Sequence, residues 1–151
     1  MQLFIIFAST SFYIGFWKYI NNYIRILGII VYLFFEFSYF LTAIMNPGII
    51  SPEYYLENYE VDKMNIKNYR VCRKCNAVMD LDKGVEHCSD CNICIIGNDH
   101  HCPWTTKCVG KNNIFMFRIF LVSIVLHIVF IFITTIIMSI IVNAEKHNKS
   151  I

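Results

Sequence analysis

No cysteine lies outside residues 72–108, no charged residue lies between Arg118 and Glu145, and little net charge remains once thirteen Lys and Arg are set against eleven Asp and Glu. Each absence excludes something. A net charge of +2, with both signs intermixed, leaves no electrostatic footprint for nucleic acid. Cysteines serving a general core would also fall in the apolar segments, so their confinement to one polar block points to metal or to chemistry. The stretch of 26 positions without charge, 119–144, is longer than the roughly 20 residues needed to span a bilayer. Internal helical repeats and low-complexity linkers are also missing, which sets aside a helical array.

What is present is apolar surface. The 151 residues are 56% hydrophobic and 16% aromatic, with a mean hydropathy of +0.49, above an ordinary soluble domain. The apolar residues form three blocks around a polar centre, and a single soluble core does not explain that segregation. Crossing about 30 Å of hydrocarbon requires a helix whose backbone groups pair internally. The expected spans are residues 3–17, closing on Trp17, Lys18 and Tyr19 as an interfacial group; residues 24–45, apolar from Ile26 to Met45 except for Glu36; and residues 114–142. The first lacks the basic start and small-residue cleavage site of a signal peptide. Glu36 is expected to be protonated or to face other helices or a watery cavity, and His127 reads as a helix-packing residue. A short polar tail, 143–151, follows.

The polar region 46–113 lies between the second and third spans and has few aliphatic runs, so its core must come from something else. Eight of the thirteen Lys and Arg fall in it, and the positive-inside tendency puts it in the cytosol. A reducing compartment disfavours disulfides, as does an odd count of seven cysteines interleaved with His87, His100 and His101.

From Cys72 to Cys108 the chain reads CRKCNAVMDLDKGVEHCSDCNICIIGNDHHCPWTTKC. Two C-x2-C clips, Cys72 with Cys75 and Cys88 with Cys91, have the spacing that brings two thiolates to one zinc ion. A single zinc ribbon would use both clips on one ion and leave six Cys and His residues unassigned. Two interleaved Cys3His sites use eight of the ten and leave His100 and Cys102 over, beside Asp99. A carboxylate, an imidazole and a thiol are the parts of an activated nucleophile. Pro103 and Trp104 follow the thiol with a rigid turn and an interfacial ring.

Asp99-His100-His101-Cys102-Pro103-Trp104, then Cys108-Val109-Gly110 and Asn113, resembles the signature of the Asp-His-His-Cys (DHHC) protein S-palmitoyltransferases. Asn46-Pro47-Gly48 resembles that family's Asp-Pro-Gly motif, Phe117 falls where the family carries an aromatic, and the resemblance runs from about residue 3 to residue 142. It implies an α-helical multi-pass membrane protein of about three transmembrane helices, in an endomembrane such as the ER or Golgi, with a small cytosolic Cys-rich double-zinc domain between helices 2 and 3. One structural zinc would be held by Cys72, Cys75, His87 and Cys94, the other by Cys88, Cys91, His101 and Cys108. Cys102 would be the nucleophile, His100 the general base and Asp99 its orienting partner. The implied reaction moves a long-chain acyl group, palmitate in the family's name, from acyl-CoA through acyl-Cys102 to cysteines of membrane-associated proteins. The bilayer is a further partner, because an acyl chain gains about 0.8 kcal/mol per buried methylene.

Three departures from the family pattern carry their own expectations. The family has at least four spanning helices and a Thr-Thr-x-Glu motif after the third, whereas Thr134-Thr135 lies inside the third span with no following Glu. That leaves open a truncated chain, a reduced enzyme, or a catalytically inactive, zinc-stabilised membrane scaffold. Asn is usual where this chain has Lys107, a cation that would either stabilise the Cys102 thiolate or disturb local hydrogen bonds; Lys107 and Lys111 are also candidates to meet the coenzyme's phosphates or to anchor at the interface. The stretch Asn76 to Glu86 lacks the usual Pro and Arg and is about two residues longer, which bears on the first zinc site.

Overall fold

A computed structural model describes residues 10, 11, 14, 15, 20–50 and 69–149. The expected first span, 3–17, lies outside the described residues except at four of those positions. The chain forms two compact units, residues 1–38 with 119–151, and residues 39–118.

Two described helices are long and apolar enough to cross a membrane. Helix α1, Asn22–Ile44, begins where Asn21 caps it by accepting a hydrogen bond from the Tyr23 amide at 3.0 Å. It stops before Asn46-Pro47, since the residue preceding proline is pushed out of helical conformation. Helix α2, Ile114–Lys149, runs 36 residues, and no Gly or Pro interrupts it. The span was expected to end at 142, but the polar residues after it stay helical: Ala, Glu and Lys are good helix formers, and Lys146, His147 and Lys149 complement the negative end.

Within the first unit, α1 meets α2 through a stripe of rings and hydroxyls. Phe35 stacks on His127 at 5.4 Å between centroids and lies 5.9 Å from Phe120. The Ser38 and Ser123 hydroxyls are 2.7 Å apart, both fully buried. One donates to the other, and the second donates to a carbonyl of its own helix, Phe35 or Phe120. Such a bond between spanning helices is worth about 0.6 kcal/mol, and at most about 2. His127 is a packing residue, as its setting among apolar residues suggested. Most large side chains elsewhere on both helices, among them Phe37, Phe40, Val125 and Phe132, are exposed, which suits lipid and not a soluble core. Thr134 and Thr135 donate to Phe130 and Ile131 carbonyls of their own helix, so this pair is part of α2.

The second unit is built from very short strands. Strands β1 (Ile49–Ile50), β5 (Ile93–Ile96) and β4 (Val85–Cys88) form one sheet in the order β1-β5-β4; β2 (Tyr69–Val71) pairs with β3 (Val78–Asp80), and β6 (His100–Cys102) with β7 (Lys107–Val109). All pairs are antiparallel. Among the described residues the aliphatic core is thin: Ile50, Ala77, Val85, Ile95 and Val109, buried among cysteines. Residues 81–84 form the turn between β3 and β4. There the buried Asp80 carboxylate accepts from the Asp82 and Lys83 amides and pairs with the Lys83 ammonium at 3.0 Å.

The Asn46-Pro47-Gly48 motif is a turn leading out of α1. The Asn46 side-chain oxygen accepts from the Gly48 and Ile49 amides at 2.8 and 2.9 Å, an Asx turn that an aspartate would form equally. Gly48 has φ +110°, a conformation left to glycine. Its carbonyl accepts from Ile96, and the Pro47 carbonyl accepts from Asn112. Gly110 runs beneath this turn: a Cβ there would lie 2.5 Å from the Pro47 carbonyl oxygen and 2.6 Å from Ile95 Cγ2. Asn113, fully buried, accepts from the Gly110 amide and donates to the Cys108 carbonyl, fixing the start of α2.

Candidate functional site

Successive side chains of a strand point to opposite faces, and this rule distributes the Cys and His residues. In β4, His87 and Cys88 are neighbours and therefore diverge. His87 stands directly across from Cys94 of β5, so both project to the same side. Cys88 goes to the other side, where it packs with Ile95, Cys91 and Cys108. In β6, His101 stands across from Cys108, whereas His100 and Cys102 face Val109 and Lys107. His101 therefore shares a face with Cys108, and its two sequence neighbours share the reverse.

Cys72, Cys75, His87 and Cys94 form one quartet, with donor atoms all within 4.8 Å of one another, and Cys88, Cys91, His101 and Cys108 form a second. In the first, Cys72 Sγ is 3.4 Å from His87 Nδ1, Cys75 Sγ is 3.4 Å from Cys94 Sγ, and Cys94 Sγ is 3.8 Å from His87 Nδ1. In the second, His101 Nδ1 lies 3.3, 3.6 and 3.9 Å from Cys91, Cys108 and Cys88, and the Cys91 and Cys108 sulfurs are 3.3 Å apart. All seven cysteines are free thiols; a disulfide would need sulfurs about 2.05 Å apart.

The donor sets fit zinc. Bonds of about 2.0–2.3 Å to a tetrahedral ion place its donors roughly 3.5–3.8 Å apart, close to the separations here. The electrostatics point the same way. Burial, with Cys75 and Cys72 adjacent, pushes the Cys94 thiol far up, and burial with Cys88 and Cys91 beside it does the same to Cys108. Backbone amides at Cys75 and Lys74 instead bring Cys72 down to about 7. Three crowded sulfurs cannot all ionise against one another, and a dication removes that penalty.

On the opposite face of β6, Asp99 Oδ2 is 2.8 Å from His100 Nδ1, which leaves Nε2 as the ring's basic nitrogen, and the ring hydrogen-bonds the Cys102 thiol. The Asp99 hydrogen bond raises the imidazole above its ordinary range, burial opposing it. Burial pushes the Cys102 thiol up, but hydrogen bonds from the Thr105 and Trp104 backbone, the Thr105 hydroxyl and His100 outweigh it and hold the thiol below its usual range. Cys102 is 4% exposed, whereas the Asp99 and His100 side chains are 54% and 40% exposed. Phe117, on the first turn of α2, meets the His100 ring edge-on at 5.2 Å. The arrangement is a buried thiol held below its usual range beside an imidazole that a carboxylate orients and that is open on one side.

Several residues that shape the site were not singled out from the sequence. Asn76 and Asn92, each directly after a C-x2-C clip, have φ +59° and +55°, and Asn76 closes its knuckle by donating to the Cys72 carbonyl at 2.9 Å. The repeated C-x2-C-N was the available signal, since asparagine tolerates this conformation. Thr105 is buried and its hydroxyl reaches the Cys102 carbonyl at 3.5 Å. Lys107, for which stabilising the thiolate, disturbing local hydrogen bonds, meeting the coenzyme's phosphates and anchoring at the interface were all open, donates its ammonium to the Ala43 carbonyl at 2.9 Å. Lys111 is exposed.

A family model described as DHHC palmitoyltransferase matches residues 65–151. Palmitoyltransferase ZDHHC5 of Homo sapiens is 30% identical over 143 residues, covering 86% of this chain and 20% of that protein. Palmitoyltransferase ZDHHC8 of Drosophila melanogaster is 36% identical over 115 residues, covering 68% of this chain and 12% of that protein. Probable protein S-acyltransferase 13 of Arabidopsis thaliana is 34% identical over 117 residues, 64% of this chain and 38% of that protein. The chain spans about a fifth of the human relative's length.

Proposed function

This chain belongs to the DHHC palmitoyltransferase family, and on that premise we propose that it is a protein S-acyltransferase working through an acyl-Cys102 intermediate. It is a membrane protein with a Cys-rich, zinc-binding cluster. We further propose three spans, with 3–17 joining α1 and α2, a cytosolic zinc domain over 46–113, and an endomembrane address.

The observation that carries the reading is the separation of roles on β6: His101 joins a metal quartet, and His100 and Cys102 face away from it with Asp99 behind the imidazole. In the first step His100 Nε2 takes the Cys102 proton and the sulfur attacks the thioester carbon of a long-chain acyl-CoA. A new carbon–sulfur bond forms, the bond to the coenzyme's sulfur breaks, and the proton on His100 leaves with the coenzyme as free thiol. In the second step His100 takes the proton of a substrate cysteine, whose sulfur attacks acyl-Cys102. The Cys102 thiolate departs and is reprotonated by His100. Asp99 holds the ring so that Nε2 faces the thiol throughout. Two zinc ions, held by the two Cys3His quartets, would supply folding free energy to a unit with a thin aliphatic core. Trp104, half exposed beside the thiol, suits an interface where an acyl chain stays in apolar surroundings.

Incubation of the zinc-loaded protein with an alkyne-tagged palmitoyl-CoA tests this. The expected result is a hydroxylamine-sensitive label on Cys102 that the Cys102→Ser variant lacks. Equal labelling of the two proteins, or bound zinc with no label at all, would leave a zinc-stabilised membrane scaffold in place of the enzyme.

A further inference from the structure

Lys107 joins two parts of the second unit that are distant in sequence. Its backbone stands directly across the β6–β7 pair from Cys102, and its ammonium donates to the Ala43 carbonyl, 64 residues earlier, at 2.9 Å. Ala43 lies in the last turn of α1, where carbonyl groups have no amide of their own helix to accept from and the helix end carries partial negative charge. That turn contains no basic residue. The Leu41 carbonyl is met by the Met45 amide, but the Ala43 carbonyl is met from outside the helix, by Lys107. A cation at a helix C-terminus is favourable by about 0.3–1 kcal/mol at the surface and more when partly buried, and Lys107 is partly buried.

The chemistry gives this tether a use. Residues directly opposite in an antiparallel pair share a face and move together, so holding Lys107 to α1 holds the strand segment that carries Cys102. An acyl chain must bring its thioester carbon to within bonding reach of a sulfur that is itself almost fully buried. A misplacement of 1 Å at such a step lowers the rate up to about a hundredfold. The ammonium is engaged with a backbone carbonyl, so it acts on the position of the nucleophile and not on the coenzyme's phosphates.

We propose that Lys107 is a positioning residue that seats Cys102 for attack by tying strand β7 to the carbonyl end of helix α1. The proposal rests on Cys102 being the acylated residue. It is tested on the full, zinc-loaded chain in a bilayer disc with Lys107→Met, which keeps an apolar stem and loses the donor, and Lys107→Arg, which keeps a donor. Four quantities are read: the saturating rate and half-saturating concentration of Cys102 acylation by palmitoyl-CoA, the alkylation of each cysteine by a water-soluble maleimide mapped by peptide, and the zinc content.

Lys107→Met is expected to keep both ions and its half-saturating concentration, to lose about tenfold or more in acylation rate, and to alkylate faster at Cys102 while the six other cysteines stay protected. Lys107→Arg is expected to recover most of the rate. Wild-type acylation and alkylation rates in Lys107→Met overturn the proposal, and so does a loss shared equally by Arg and Met or accompanied by loss of zinc, which marks a merely structural role. If the wild type does not acylate at all, the enzyme reading fails by itself. The alkylation arm then decides the tether, since unchanged Cys102 reactivity in Lys107→Met overturns it and a selective increase upholds it.

Discussion

His101 and Cys102 are consecutive in β6 and face opposite sides of it, His101 toward Cys88, Cys91 and Cys108 and Cys102 toward His100 and Thr105. Two adjacent histidines therefore have unlike surroundings, set by the two-residue repeat of an extended strand.

The first prediction separates those histidines. His101→Ala removes a donor from the second quartet, and zinc should fall from two ions toward about one per chain. Structural zinc contributes about 10–16 kcal/mol, as much as the whole stability of an ordinary domain, so the part of residues 39–118 around the second quartet should lose its fold. His100→Ala should keep both ions and lose about 10²–10⁴ in acylation rate, the usual share of a general base. Metal analysis and acylation of the two variants check this; an exchanged outcome would refute the facing assigned to the pair.

A second prediction concerns pH. Asp99 holds the His100 imidazole above its ordinary range, and His100 helps hold the Cys102 thiol below its own. Asp99→Asn removes the first effect and so weakens the second. The pH midpoint of Cys102 alkylation should rise toward that of an ordinary cysteine, about 8.5. The variant should be slower near neutral pH and should converge on the wild type in alkali. For folding, the raised imidazole favours the native state below about pH 6.5, and this contribution disappears as pH climbs through the raised value. With the His100 side chain 40% exposed, that contribution is small.

Much of this was legible from residue counts. Two Cys3His quartets use six of the seven cysteines and two of the three histidines in the block and leave one of each; that the remaining pair is His100 and Cys102 was implied by the resemblance. The long uncharged run after Arg118 announced a helix, and α2 is long and apolar enough to cross a membrane. The strands were not legible, because segments of two to four residues such as Ile49–Ile50 have too little pattern to reveal a period. Without the strands, the divergence of His87 from Cys88 could not be derived, only implied by resemblance. The partner of Lys107 was hidden for another reason: nothing local specifies a contact with a carbonyl 64 residues away. The helical tail 143–149 was missed because polarity marks the end of a span, not the end of a helix.

A third prediction tests the floor under the Asn-Pro-Gly turn. Gly110→Ala would put a methyl group against the Pro47 carbonyl oxygen, Ile95 Cγ2 and the Ile96 carbonyl oxygen, at 2.5, 2.6 and 3.2 Å. Two of these are backbone atoms and cannot swing aside, so the expected loss is about 1–3 kcal/mol. Gly84→Ala meets nothing nearer than 4.0 Å but keeps a φ of +63°, and its loss should be about 1 kcal/mol, from the left-handed conformation alone. Thermal melts of the zinc-loaded variants compare them. Equal stability of Gly110→Ala and the wild type would show that the turn is not packed on Gly110.

The last prediction uses the cysteines as reporters of the whole arrangement. With both ions bound, six of the seven thiols are metal ligands, and Cys102 is the remaining one, with the lowered pKa of a reactive cysteine. Timed maleimide labelling should give one fast site at Cys102 and six slow ones. A strong chelator should release all seven, because the few buried aliphatics among the described residues of 39–118 cannot sustain the fold without metal. Helix α2 should stay helical through this, as its hydrogen bonds close within the segment and its apolar face suits the bilayer. Circular dichroism should therefore keep most of its helical signal while the thiol count rises from one to seven. A fast class of four or more thiols before chelation would mean that one quartet does not bind metal, and Cys102 would lose its standing as the thiol set apart.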